Sequence, residues 1–235
     1  MLALSQSRPG NRLLAALSPA DLKSLQPLLQ SVPLRLRQDL ERPQRRIDDV
    51  YFPNLGIASV VAVQSRDTRI EVGLIGCEGM TGTAVVLGND RSPHETYMQV
   101  EGEGQRITAA NLRQAMNASD SLRNVLLRYV QVFMVQTAHT AIANARARLD
   151  ERLARWLLMA HDRVRDDRLP LTHELLSLML GVRRAGVAEA LHCLASQNFI
   201  TAGRGEVVIL NRRSIERVAG ESYGTPEAEF RRLIG

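Results

Sequence analysis

The chain has 235 residues, enough for two compact units, and its 45% apolar content gives each of them a core. Its formal charge of +5 suits a polyanionic partner without demanding one, and Lys23 is the only lysine among 30 basic residues. No run reaches the roughly 18 apolar residues of a spanning helix, and Cys77 and Cys193 match no metal or redox spacing, so a cytoplasmic protein with no membrane partner is expected.

Met1-Leu-Ala-Leu4 is too short to be the apolar stretch of a signal peptide. Ser18-Pro19-Ala20-Asp21 reads as a helix start: Ser18 caps, Pro19 sits where no amide donor is needed, and Asp21 complements the helix dipole. With Leu22, Leu25 and Leu29 on one face, the spacing predicts a helix over residues 19–30. From Val32 to Ile107 the texture changes. The β-prone runs Val50–Phe52, Ile57–Val63, Thr68–Ile75, Ala84–Leu87 and Thr96–Val100 alternate with the turn signals Asn54-Leu-Gly56, Ser65-Arg-Asp67, Gly88-Asn-Asp90 and Gly102-Glu-Gly104. Short, evenly spaced strands of this kind predict an antiparallel barrel or sandwich.

After Gly104 neither glycine nor proline recurs until Pro170, so a long helical spine follows. Ser119 or Asp120 can cap it. Leu122, Leu126, Tyr129, Phe133, Gln136, Thr140 and Ala143 then recur at alternating spacings of four and three, a heptad-like seam. Dimerisation through Leu122, Leu126, Tyr129 and Phe133 is the favoured reading; packing of this seam on the chain's own barrel is the other. Leu153, Trp156, Leu157 and Ala160 mark an amphipathic piece over residues 149–164, with Trp156 expected where the spine meets the C-terminal unit. Asp166-Asp-Arg-Leu-Pro170 reads as a polar connector.

Thr172 to Gln197 reads as two short helices broken at Leu180-Gly181-Val182, where Gly181 supplies a positive φ. Leu175 and Met179 on the first helix can pack against Val187, Leu191 and Leu194 on the second, leaving Arg183-Arg184 exposed where a recognition helix carries its base-reading side chains. Ile200–Ala202 and Glu206–Leu210, joined by Gly203-Arg204-Gly205, predict a hairpin behind it, a wing with Arg204 at its tip. Thr172, with the amides that open the first helix, and Arg204 are placed for phosphate, and His173 is counted with them among the DNA contacts. Arg213–Ala219 reads as a terminal helix and Thr225–Gly235 as a polar, poorly ordered tail. The units are therefore residues 1–118, a sensor; 119–148, a dimerisation helix; and 149–235, a winged helix-turn-helix.

Leu171-Thr-His-Glu-Leu-Leu-Ser-Leu-Met-Leu-Gly-Val-Arg-Arg-Ala-Gly-Val-Ala-Glu-Ala-Leu191 resembles the helix-turn-helix signature of the Crp/Fnr family of bacterial transcription regulators, supported by Val50-Tyr-Phe-Pro53 with Gly56 and by Gly76-Cys-Glu-Gly-Met80. The resemblance implies an α+β chain: an antiparallel β-roll (double-stranded β-helix) of the cyclic-nucleotide-binding type, a dimerising helix and a mobile DNA-binding unit. It implies a homodimer on a near-palindromic stretch of double-stranded DNA, with RNA polymerase as a further partner. The family's base-reading positions hold Arg184, Ala185 and Glu189 here, so only the first is kept; Arg183 and Gly186 beside them are grouped with the DNA contacts. Arg184 suits guanine O6 and N7, and Glu189 can accept from cytosine N4.

For the sensor, the resemblance implies a cyclic-nucleotide cassette carried by Gly76, Glu78, Arg91 and Ser92, but Cys77 interrupts the first pair and the second comes late. The cysteine cluster of iron–sulfur members is missing, so no iron–sulfur cluster is expected and no cofactor follows with certainty. Two alternatives remain: a constitutive DNA-binding dimer whose β-roll takes no ligand, and a cupin-like metalloenzyme, for which His94-Glu95 alone is no ligand cluster. With no nucleophile elbow, phosphate loop or paired carboxylates, the chain reads as a non-enzyme.

Overall fold

The computed structural model describes residues 10–65, 68–164 and 166–235; Met1-Leu-Ala-Leu4 and part of the Ser65-Arg-Asp67 turn signal lie outside them. Asn11 caps α1 (Arg12–Ala15) and ties it inward, its amide donating to the carbonyls of Pro53 and Gly79 at 2.8 Å each. The Ser18 hydroxyl caps α2 (Pro19–Leu25) as expected, accepting from the Asp21 amide at 3.1 Å. The helix stops earlier than its apolar spacing suggests. Pro27 has no amide to extend the ladder, so Gln26–Leu28 tighten into a 3₁₀ turn that feeds β1 (Gln30–Leu34).

The sheet is antiparallel, in the order β1-β5-β3-β4, with β2 (Asp39–Glu41) also on β5 (Glu95–Thr108). Its centre is the pairing of β5 with β3 (Asp49–Val63), and β4 (Arg69–Ile75) forms an edge. Two turn signals are overturned here, because Asn54-Leu-Gly56 and Gly102-Glu-Gly104 lie inside these long strands. Their glycines serve close approach: a Cβ on Gly102 would stand 2.1 Å from the Leu55 carbonyl oxygen, and Gly56 has φ +90. Register shifts between Pro53 and Ala58 bend the pair. Ala84–Leu87 is also corrected, from strand to the helix α3 (Thr83–Val86), since a four-residue apolar run carries no period that separates the two.

Thr108 caps α4 (Ala109–Ala118), and Ser119 ends it while capping α5 (Asp120–Arg146), whose 27 residues span about 40 Å. The predicted seam turns inward. Leu122, Leu126 and Tyr129 are at most 2% exposed, and the Tyr129 hydroxyl donates to the Met80 carbonyl at 3.1 Å. Gln136 pairs with both backbone groups of Leu74 on the β4 edge, accepting at 2.6 Å and donating at 3.2 Å, while the Phe133 ring covers Gly73. Leu122, Leu126, Tyr129 and Phe133 therefore hold the helix to its own sheet, which corrects their assignment to a dimer seam.

α6 (Leu149–His161) is buried all round from Leu153 to Ala160, because one apolar cluster joins Ile57, Leu74 and Val100 of the sheet to α6 and to the helices beyond it. The polar connector is corrected too: Arg168–Leu169 form β6, the third strand of a small sheet in the order β6-β8-β7. That sheet carries α7 (His173–Leu180), α8 (Arg184–Ser196), β7 (Ile200–Gly203), β8 (Glu206–Ile209) and α9 (Arg212–Ala219) in one unit. The expected tail is a helix, α10 (Thr225–Leu233), laid on α5. Pro226 in its first turn and Glu227 accepting from the Gly224 amide at 3.0 Å start it, and Phe230, 5% exposed beneath the Arg12 guanidinium, anchors it.

Candidate nucleic-acid interface

The Thr172 hydroxyl caps α7 by accepting from the Leu175 amide at 3.1 Å, and Gly181, at φ +61, ends it. The Ser177 hydroxyl donates to the Val182 carbonyl, pinning the turn. Leu176, Met179 and Leu180 form the buried face of α7, one position away from the expected Leu175, which is half-buried. Val187, Ala190, Leu191 and Leu194 form the buried face of α8. Packing of these faces leaves Arg183, Arg184, Ala185, Ala188, Glu189 and His192 exposed.

Arg184 is 66% exposed and pairs with Glu174 across the turn at 3.1 Å. An exposed pair of this kind is worth little, so it yields readily to a phosphate or a base edge. Glu189 is exposed and makes no ion pair among the described residues. Gly186 does not share this face: a Cβ there would meet Leu149 of α6 at 3.2 Å, so its role is helix packing, a correction to its grouping with the DNA contacts. His173 is exposed in the first turn of α7, and Arg204 is exposed at the hairpin tip beside Gly205, whose φ is +82. His192, three residues beyond Glu189, joins the outer face; the 3.6-residue period running through Ala185 and Ala188 is the signal that places it.

In the N-terminal unit Gly76, Glu78, Arg91 and Ser92 separate. Gly76 abuts the Arg163 side chain, where a Cβ would fall 2.6 Å from Cγ, and Glu78 is held by the buried Arg163 guanidinium at 2.7 Å. Arg91, 60% exposed, pairs with Asp90 at 3.6 Å and rims a different depression beside Glu41 and Tyr51. Ser92 accepts from the His94 amide at 3.1 Å. Gly76, Glu78, Arg91 and Ser92 thus form no single pocket, which corrects their grouping: the long stretch between the pairs passes through α3 instead of a short loop. Cys77 is buried, and among the described residues no group of three or more His, Cys, Asp or Glu could hold a metal ion.

Between the N-terminal sheet and the helix-turn-helix, Glu71 of β4 is 4% exposed. Its carboxylate accepts from the Ser59 hydroxyl at 2.5 Å and from the Trp156 indole at 2.6 Å, placing Trp156 at the expected junction. Burial pushes the carboxyl up to about 7 against those two hydrogen bonds and the nearby Arg155 and Arg163.

Residues 151–218 match the family model of the Crp-like helix-turn-helix domain. Among solved structures the chain is similar to FixK2 from Bradyrhizobium japonicum, at 14% identity over 82% of this chain and 98% of that one, with a TM-score of 0.68. The c-di-GMP-responsive global regulator CLP of Xanthomonas campestris is 16% identical over 82% and 99%, with a TM-score of 0.66. TTHA1359, a Crp/Fnr-family transcriptional regulator from Thermus thermophilus, is 17% identical over 81% and 98%, with a TM-score of 0.65. No curated protein matches the chain.

Proposed function

We propose, on the premise that residues 151–218 form a Crp-like helix-turn-helix domain on the fold of the Crp/Fnr regulators, that this chain regulates transcription by binding DNA as a homodimer. The observation that carries this reading is the outer face of α8, which presents Arg183, Arg184, Glu189 and His192 to solvent and is spared from the core. In it α8 enters the major groove, Arg184 reads a guanine and Glu189 a cytosine, while Thr172, His173 and Arg204 hold phosphates. The two α8 helices of a dimer meet successive grooves roughly 34 Å apart, so the operator is a near-palindrome.

The dimer face falls on the side of α5 turned away from the sheet. Leu127, Met134 and Ile142 are 39%, 60% and 56% exposed there, and Gln131, Ala138, Ala141 and Ala145 continue the stripe at spacings of four and three. Among the described residues no helix is long and apolar enough to cross a membrane, and a cytoplasmic location is part of the proposal, as is contact with RNA polymerase. A small effector is included, without a cyclic nucleotide in the Gly76, Glu78, Arg91 and Ser92 grouping. The proposed role is DNA binding through the α8 surface, with no catalytic activity assigned.

Selection of bound sites from random duplexes, followed by titration of variants, tests the reading. Arg184→Ala is expected to weaken the selected site by roughly 1–3 kcal/mol and to relax one base position. Arg204→Ala is expected to weaken all sequences alike and to lower the salt dependence by about one counterion. Enrichment of no sequence, or unchanged affinity in Arg184→Ala, would refute it.

A further inference from the structure

α10 follows the winged unit in the chain but packs on α5 and α1, and the residues that match the helix-turn-helix domain end before it, at 218. Tyr223, just ahead of the helix, still packs with the core of α6 to α9, and its hydroxyl donates to Asp162 at 2.5 Å. Ile234, just past the other end, packs on the core that α1, α3, α4 and the start of α5 build. Nine residues of helix thus carry the chain from the C-terminal core back to the N-terminal one.

Among the described residues this crossing carries no hydrogen bond or ion pair: those that α10 makes stay within residues 224–235, Glu227 with the Gly224 amide and Arg232 with Glu229 at 2.6 Å. What reaches across is the Phe230 ring, with the Arg12 guanidinium 4.7 Å from its centre, together with the buried Pro226 and Ile234. Glu227 also attracts Arg155 and Arg163 through space. Arg163, however, already holds Glu78 at 2.7 Å, and Arg155 donates to the Ser222 carbonyl and the Thr140 hydroxyl at 2.9 and 3.1 Å, so undocking α10 strands neither charge. The seat is incompletely filled. A cavity of about 230 Å³ lies between α10 and α5, with Val132, Phe133, Pro226 and Phe230 in its walls, and side chains that face a void forfeit packing contacts. Gly220, at φ +53, and Gly224, at φ +111, flank the link into the helix, and a Cβ added at either would meet nothing within 4 Å. Glycine therefore serves backbone freedom there, which a hinge uses.

We propose that α10 is a releasable clasp between the two ends of the molecule. Docked, it holds the winged unit to the N-terminal unit at a second place, besides the apolar cluster that joins the sheet to α6 and α7. Undocked, it leaves that cluster and the Arg163–Glu78 pair to hold the units, and the winged unit rocks on them. Because few contacts hold α10, its opening is a local event that dismantles neither core. An arrangement of the winged unit that duplex DNA favours then shifts the docked fraction, and the docked fraction shifts the affinity in return. That consequence rests on the DNA-binding proposal; the clasp itself does not.

The test uses the full chain without DNA. Hydrogen exchange is expected to show the α10 amides opening at least tenfold faster than those of α5 from Leu122 to Val130. Phe230→Ala removes the ring, and Arg12→Gln, at an exposed position, removes the cation over it. Each is expected to speed α10 exchange at least threefold while that stretch of α5 stays unchanged, and the second variant reads the clasp should the first fold poorly. The tie between the units is read by spin labels on the exposed Cys193 of α8 and on Lys23→Cys of α2, with labelled chains diluted into unlabelled ones so that only distances within one chain count. The distance distribution is expected to be broader in both variants than in the parent chain. Exchange in α10 no faster than in α5, or a distribution unchanged in both variants, overturns the inference. Because no DNA is present, failure of the DNA-binding proposal leaves both readings intact.

Discussion

Glu71 is buried where β4, α6 and the core of α7 meet, and its two hydrogen bonds come from Ser59 and Trp156. The unfolded chain gives up this proton near the ordinary value of 4.5, the folded chain only near 7. Between those values the folded state binds more protons, so stability from this group is full at the acid end, falls as pH rises through about 7 and then levels, by a few kcal/mol at most. Denaturant melts at pH 5 and pH 8 are expected to show that fall, and Glu71→Gln to remove most of it. Trp156, the only tryptophan, reports the same event through an emission shift near neutrality. Equal pH dependence in the parent chain and Glu71→Gln would remove Glu71 as the cause. At this scale the sequence discloses what acts within a turn of chain: the Thr172 and Ser119 caps and the Gly181 break are all read from near neighbours. It hides bonds such as Leu74 to Gln136 and Trp156 to Glu71, which span 62 and 85 positions and whose partners carry no local mark.

Among the elements, the long strands were the least legible and the helix-turn-helix the most. Glycine within a strand and glycine in a turn look alike in sequence, and only the closeness of β3 and β5 distinguishes them. Gly102→Ala puts this to a test, because its Cβ would fall 2.1 Å from the Leu55 carbonyl oxygen, a backbone atom that cannot swing aside. Destabilisation of about 1–3 kcal/mol or more in a denaturant melt is expected. Gly205→Ala at the wing tip is the contrasting control: nothing lies within 4 Å of that Cβ, and only its φ of +82 opposes the change. Because Gly102, unlike Gly205, has no positive φ, a loss at Gly102 no larger than that at Gly205 would remove close approach as the reason for glycine there. The winged unit is legible because its signals are short-range; β6 is not, because two residues, Arg168 and Leu169, form a strand only where β8 offers them an edge.

For the whole molecule, the heptad seam shows why spacing alone does not choose a partner. A helix of 27 residues has two sides, and in α5 both recur at spacings of four and three. The more apolar side, Leu122, Leu126 and Tyr129, is claimed by the sheet, where Gln136 also completes the β4 edge. What remains for a second copy is the thinner stripe of Leu127, Met134 and Ile142 with its alanines, whose small side chains allow two helices to approach closely. A charge introduced there leaves the monomer core untouched, since these positions are exposed in the single chain. Met134→Glu together with Ile142→Glu is therefore expected to turn a dimer into a folded monomer in sedimentation experiments. The same pair should lower affinity for a two-half-site operator by far more than for a single half-site, because linked half-sites raise the effective concentration of the second contact. Leu126→Glu, by contrast, should unfold the N-terminal unit, since Leu126 is 1% exposed. If the double variant stays dimeric, α5 presents no interface, and the proposed dimer would have to form through another surface.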